Sequence, residues 1–317
     1  MDKSRCIAAM SLSNKVSEYM DRAGAEKNVW TRAEVFPHAS FPFGMRCDNP
    51  QTPDQLHKHS GFWELVVVYK GEGIHFTEKE EYPVRAGDVF VIRGEQLHGY
   101  KNSQRLFLKN ICFDPNQILV QVDHIKKLPG YHILFELEPK YRRAHNFESR
   151  LQLSPEETAH LMSIISLIES EMDSELPGYE YTVIALFMQA VSFLCRRYAR
   201  TTRKASRNLL QMASVISHIE THYAEQIELR DLQEIAHMSS STLLRMFKET
   251  TEYTPIEYLL RVRISKAVEL LRCGETSITN VAFAVGFLDS NYFSRQFKRA
   301  MNMSPSEYRA LVQPVTL

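Results

Sequence analysis

Two copies of one pattern lie 50 residues apart in the last third of this chain, which narrows the folds it can adopt. The segment MSSSTLLRMFKETTEYTPIEYL, from Met238, returns as FLDSNYFSRQFKRAMNMSPSEYR, from Phe287. Ser240 matches Ser290, Leu243 matches Phe293, Arg245 matches Arg295, Phe247 matches Phe297, Lys248 matches Lys298, Pro255 matches Pro305 and Tyr258 matches Tyr308. Upstream, Leu232, Ile235 and Ala236 match Ala282, Val285 and Gly286 at the same offset. Two copies are too few for a stacked solenoid. They suit a duplicated helix-turn-helix, in which a short helix, a tight turn and a second helix recur.

Wound at about 100° per residue, the second copy places Phe293, Phe297 and Ala300 on one stripe, which is expected to be buried. Asn291, Ser294, Arg295 and Lys298 fall on the opposite face. The first copy buries Leu243 and Phe247 and presents Ser241, Leu244, Arg245 and Lys248. A lone helix of this kind is an ordinary amphipathic surface helix; an Arg at the same turn of both copies argues for a shared task. Ser239, Thr254, Asp289 and Ser304 stand where N-caps are expected. Between the copies, Ile256–Arg272 carries Arg261, Arg263, Lys266 and Arg272. A helix there spans roughly 26 Å, enough to set two reading helices about one DNA turn, ~34 Å, apart. Its basic residues then meet phosphates or are solvated.

The first half of the chain has a different texture. Trp63–Tyr69, Ile74–Thr77, Asp88–Ile92 and Leu106–Phe113 are rich in β-branched and aromatic residues, with Gly71, Gly73, Pro83, Gly87 and Gly94 as punctuation, which indicates a sandwich or small barrel. Glu156–Met172 and Tyr181–Tyr198 then show helical spacing, separated by Pro177-Gly178. These helices cap the barrel or pair with a second copy. The expected organisation is α+β: an N-terminal arm over 1–35, an effector-binding barrel over 36–150, a helical dimerisation or linker region over 151–207, and an all-α DNA-binding domain with two helix-turn-helix motifs over 208–317.

Net charge is zero, which excludes no partner, but the distribution is uneven. Arg196–Arg207 holds six basic residues and no acid between an acidic first part and a nearly balanced remainder; such a run reads as a solvated linker or a DNA contact. The five cysteines are scattered without a CxxC pair, as in a reduced, cytoplasmic protein without a zinc motif. No apolar run is long enough for a membrane span, and the first residues lack the apolar core of an export signal.

Residues 210–312 resemble the DNA-binding domain of the AraC family of bacterial transcription regulators. The resemblance is carried by Ile278, Val281-Ala282-Phe283, Gly286-Phe287, Asp289-Ser290-Asn291-Tyr292-Phe293-Ser294-Arg295, Phe297-Lys298 and Ser304-Pro305 with Tyr308-Arg309. It implies base-reading roles for Ser241, Leu244 and Arg245 and for Asn291, Ser294 and Arg295. Lys248, Lys298, Ser240 and Ser290 are read as phosphate contacts, which position without specifying. Asp289 is most simply an N-cap, in a region that in this family can face RNA polymerase. The family usually has Gly after each reading helix; here Glu252 and Asn302 stand there, and Glu tolerates a left-handed backbone less well than Asn.

Upstream, His57-x-His59 with Glu64, then Gly87-Asp88 and His98, resemble the two cupin motifs, so a cupin-like β-barrel is expected. Alternate residues on a strand share a face, so His57 and His59 can both point into a barrel. With Glu64 and His98 they would form a three-histidine, one-carboxylate set suited to Fe, Mn, Ni or Zn, which keeps open a metal-dependent cupin enzyme with a helical appendage. Arg93 and Glu95 replace the expected Pro and Gly of the second motif. The family resemblance implies instead a non-catalytic sensor without cofactor, in which His57, His59, Glu64, His98 and Tyr100 contact a small effector, usually a sugar. FWELVVVYKGEGIHF, RAGDVFVI and GFLDSNYFS look most like the rhamnose-responsive activators of the family. The implied partners are double-stranded DNA, a sugar, RNA polymerase and a second copy of the chain. A ligand-independent repressor is the remaining alternative.

Overall fold

The computed structural model describes residues 29–48, 56–78, 80–119, 123–142, 150–198, 200, 204–273 and 276–312. Most of the arm expected over 1–35 and part of the basic run lie outside the described residues. The chain divides into two compact units, one within residues 1–125 and 130–209, the other comprising 126–129 and 210–317.

The first unit is built on a mostly antiparallel sheet. Its strands are β1 (Val29–Thr31), β2 (Phe43–Asp48), β3 (Lys58–Ser60), β4 (Trp63–Thr77), β5 (Glu81–Arg85), β6 (Asp88–Ile92), β7 (His98–Phe113) and β8 (Leu151–Gln152). The main ladder runs β2-β7-β4-β6-β8, with β5 beside the far half of β4, while β1 and β3 form a small parallel pair. Because β1 pairs Trp30 with His59, the barrel unit begins at least seven residues earlier than the expected boundary at 36. Among the described residues no ladder joins β2 to β8. The sheet nevertheless rolls: Val66 and Val68 of β4, Tyr82 and Val84 of β5, Phe90 and Ile92 of β6, and Tyr100, Leu106 and Leu108 of β7 share one buried cluster.

Two expected strands, Trp63–Tyr69 and Ile74–Thr77, are one long strand. Gly71, at φ 78°, does not end β4 but absorbs one of its register shifts against β7, between Val68 and Ile74. A bulge adds a residue and bends the strand without breaking it. Pro83 likewise sits inside a strand. β5 is an edge strand paired only with β4, where a missing N–H costs no ladder bond.

Two helices follow, α1 (Pro155–Ser174) and α2 (Tyr179–Tyr198). Ser154 and Glu157 cap α1 reciprocally, and Glu175 closes it in the left-handed region. Leu161, Ile164, Ile165 and Ile168 of α1 and Val183, Phe187, Val191 and Leu194 of α2 are buried, as their three-to-four spacing required.

The second unit is all helix: α3 (Lys204–His222), α4 (Leu229–Ala236), α5 (Ser240–Thr251), α6 (Pro255–Cys273), α7 (Ile278–Ala284), α8 (Ser290–Met301) and α9 (Pro305–Val312). α3 starts inside the basic run, so that run is not simply a linker. The bounds of α5 and α8 differ by 50 at both ends, and α6 and α9 start 50 apart. The leading helices do not follow that offset. N-caps Glu228 and Ser277, and left-handed residues His237 and Gly286, are each 49 apart. The second turn holds one residue more, so Leu232 corresponds to Val281 rather than Ala282, and both are fully buried.

Candidate functional site

α5 and α8 are helices because their caps start them and one apolar stripe holds them. Ser239 accepts from the amide of Thr242 and Asp289 from that of Asn291. At the next helices Thr254 pairs with Glu257 and Ser304 with Glu307, so all four expected N-caps are in place. Leu243 and Phe247, and Phe293 and Phe297, have no exposed surface. Phe293 stacks edge-on against Phe287 and Phe297, and Phe297 against Tyr308. Removing either ring would cost about 3–5 kcal/mol. Ala300, expected on this stripe, is exposed. The stripe continues from Phe297 to Met301, which packs on the same cluster, and the slow drift of the helix leaves Ala300 beyond its edge.

The opposite faces are open. Ser241, Arg245, Lys248, Asn291, Arg295 and Lys298 are exposed, while Ser240, Leu244, Ser290 and Ser294 are half-buried. Arg245 is held by Glu249 one turn on, at 3.1 Å, and the Arg295 guanidinium lies 5.9 Å from the Tyr292 ring centre. The Ser294 hydroxyl donates to the Ser290 carbonyl at 2.9 Å, leaving its lone pairs to accept.

α6 supplies the strut between the copies, and one of its basic residues is neither at a phosphate nor solvated. Arg263 is buried; Nε donates to the Tyr223 carbonyl and an Nη to that of Glu225, both at 2.8 Å. The guanidinium lies 5.6 Å from the Phe287 ring centre. It therefore satisfies carbonyls just beyond α3 that the helix itself leaves without partners. Arg261 stacks on Tyr253 and Lys266 pairs with Glu269.

In the sheet unit, His57, His59, Glu64 and His98 converge. The backbones of His57 and His98 exchange hydrogen bonds of 3.0 and 2.9 Å. Nitrogens of His57, His59 and His98 all lie within 4.8 Å of one another. Glu64 Oε2 is 3.7 Å from His59 Nε2 and 3.6 Å from His98 Nε2. His59, Glu64 and His98 are fully buried. Burial, helped by His98 and His57, pushes the His59 pKa down to about 2, so its imidazole is neutral. Tyr100 faces the same interior, 5.3 Å ring to ring from His75.

His75 is the residue that sequence reasoning missed. It is fully buried, 5.7 Å ring to ring from His98, and burial holds its pKa well below that of an ordinary histidine. Counting by twos from Glu64 puts His75 on the outer face; the register shifts between Val68 and Ile74 turn it inward. Gly71 and Gly73 within an otherwise β-rich run were the available signal.

Two family models match the chain: "AraC-like ligand binding domain" over residues 47–191 and "Helix-turn-helix domain" over residues 232–311. The HTH-type transcriptional activator RhaS of Salmonella schwarzengrund is 31% identical over 282 residues, 87% of this chain and 95% of its own length. The HTH-type transcriptional activator RhaR of Mannheimia succiniciproducens is 29% identical over 260 residues, 82% of this chain and 88% of its own. Among solved structures, the DNA-binding domain of AdpA in complex with a target DNA is 31% identical, covering 32% of this chain and 91% of that one at a TM-score of 0.31. A ligand-binding domain followed by a duplicated helix-turn-helix, with this identity sustained over most of the chain, places the protein in the AraC family of transcription regulators.

Proposed function

We propose that this chain is a cytoplasmic, sugar-responsive transcription activator, with rhamnose the first effector to try. The supporting observation is the pair of capped helices, α5 and α8, that bury matching apolar residues and expose an Arg at the same turn, beside identity to RhaS and RhaR over most of the chain. In this reading Arg245 and Arg295 fork onto guanine and Asn291 onto adenine, each worth roughly 1–3 kcal/mol of discrimination. Leu244 meets a thymine methyl, and Ser241 and Ser294 offer hydroxyls to base edges. Ser240, Lys248, Ser290 and Lys298 hold phosphates.

The effector enters the interior lined by His57, His59, Glu64, His98 and Tyr100, where imidazole and phenol groups supply both donors and acceptors. It acts only if it binds two arrangements of the protein with different affinity. Leu167, Leu176 and Tyr181, on and between α1 and α2, are exposed apolar residues suited to pairing with a second copy. RNA polymerase is the further partner of a bound activator.

The test is DNA binding and transcription with and without L-rhamnose and related sugars. A sugar-dependent gain in transcription, lost in His98→Ala while basal DNA affinity stays near normal, is the expected result. Equal DNA binding and transcription with every sugar would replace the activator reading by a ligand-independent one.

A further inference from the structure

We propose that Leu288, in the turn that leads into α8, is a further specificity-determining residue and meets the 5-methyl group of one thymine in the major groove. This rests on the DNA-reading role given to α8 above. Leu288 is 79% exposed, more than any other large apolar residue among the described residues of the helical unit. The two turns show how it comes to be there. In the first, left-handed His237 is followed by Met238 and then by the N-cap Ser239. In the second, left-handed Gly286 is followed by Phe287, Leu288 and the N-cap Asp289. The Met238 amide donates to the Gln233 carbonyl at 3.2 Å, and the Phe287 amide to the Ala282 carbonyl at 3.0 Å. Donors 238 and 287, and acceptors 233 and 282, are each 49 apart. Phe287 is therefore the counterpart of Met238, and Leu288 is the inserted residue.

The insertion also relieves Leu288 of a structural task. A residue one place before an N-cap ordinarily packs on the fourth residue of the helix, which for α8 is Phe293. Phe287 makes that contact instead, edge-on at 5.2 Å between ring centres, and is itself buried. Leu288 is left outside the core, yet its backbone is held on both sides. The Phe287 amide is bonded back to α7, and the Asp289 carboxylate accepts from the Asn291 amide at 2.7 Å. The side chain is presented to solvent from a fixed turn.

Its place decides what it meets. A reading helix enters the major groove with its N-terminal residues nearest the base edges, and Leu288 stands at that end of α8. A leucine side chain offers no hydrogen bond, and the apolar feature of the groove floor is the thymine methyl. A protein partner would need a broad contact patch, whereas the residues that follow Leu288, Asp289, Ser290 and Asn291, are polar. The first copy has no inserted residue, and Met238 is half-buried. The two half-sites are therefore read unequally, with a thymine required beside α8 that has no equivalent beside α5.

The probe is a random-sequence duplex DNA library, selected by the full chain and by its Leu288→Ala and Leu288→Met variants. The expected result is a thymine in the wild-type consensus, beside the position whose preference is lost in Asn291→Ala. The preference for this thymine should be lost in Leu288→Ala and kept in Leu288→Met. Replacing it by deoxyuridine removes only the methyl group. That should weaken wild-type binding about fourfold, the worth of one buried methyl, and leave Leu288→Ala unaffected. Because the side chain is exposed, Leu288→Ala should keep the unfolding midpoint of the helical unit, so that a loss of preference is not a loss of fold. Equal base preference, or equal sensitivity to deoxyuridine, in wild type and Leu288→Ala overturns the proposal. So does a fall in transcription by Leu288→Ala with DNA preference intact, which would assign the residue to a contact with RNA polymerase. A wild-type chain that enriches no sequence refutes the DNA-reading role itself, and the two failures are told apart.

Discussion

Gly286→Ala should destabilise the helix-turn-helix unit far more than its backbone angle alone explains. Gly286 has φ +89°, and an added Cβ would lie 2.7 Å from the Tyr223 carbonyl oxygen and 2.8 Å from that of Ala224. The left-handed backbone costs a non-glycine residue about 1–2 kcal/mol. The contact adds a second cost, because the Tyr223 carbonyl is also held by Arg263 at 2.8 Å. Moving it aside gives up a hydrogen bond from a charged donor, worth about 1.5–3 kcal/mol. The sum, about 2.5–5 kcal/mol, is a large part of a typical domain stability of about 5–15 kcal/mol. Gly178→Ala is the matched control: its φ is also +89°, with nothing within 4 Å of the added Cβ. Both alanines gain the same small unfolded-state benefit, so the difference isolates the contact. Both tryptophans, Trp30 and Trp63, lie in the sheet unit. Urea unfolding followed by tryptophan fluorescence therefore reports Gly178→Ala, and the part of the helical circular dichroism transition that does not follow the tryptophan signal reports Gly286→Ala, because α1 and α2 belong to the sheet unit. A loss at Gly286 no greater than that at Gly178 would refute the reasoning.

Arg295→Ala should relax base preference at one position of the operator, whereas Lys298→Ala should weaken all sequences alike and lower the salt slope by about 1; equal losses across all sequences for both variants would remove the distinction drawn between them. Glu252 holds a left-handed φ of 73°, so Glu252→Gly should raise stability by about 0.5–1 kcal/mol after the entropic cost of glycine. A lowered unfolding midpoint would show instead that the Glu252 side chain contributes something its exposed position does not reveal.

The helical unit was legible in the sequence to the level of single faces because its signals are local. A cap, a stripe three or four residues apart and a second copy all lie within a dozen residues of one another. The error there, one residue in the relation of α4 to α7, arose at the turn. His237 and Gly286 take the same left-handed role at an offset of 49, and no periodicity passes through a turn to reveal an insertion. Arg263 was misjudged for a related reason. Nothing near it in sequence shows that the carbonyls of Tyr223 and Glu225, about 40 residues away, end a helix at its guanidinium. In the sheet unit the pairing is non-local throughout. His57 and His98 meet through a bridge across 41 residues, which motif spacing suggests but alternation cannot. His75 was hidden because bulges in β4 reverse the parity on which strand reasoning depends.

The two units also spend their buried polar groups differently, and this bears on what each does. Among the described residues of the helical unit the buried cation is Arg263, matched to two backbone carbonyls, so that part of the interior is a finished strut and the proposed DNA contacts fall on exposed faces. In the sheet unit His59 is enclosed without a hydrogen bond beside a carboxylate, which is where the proposed effector would find polar groups to meet. Buried polar groups left in that state cost about 1–3 kcal/mol each, a penalty that the proposed effector would remove on binding. In the proposed reading, effector binding there would stabilise the sheet unit itself. A signal that begins as a change in the stability or shape of that unit needs no chemical reaction, which is the physical reason the proposed effector reading requires no catalysis from this interior.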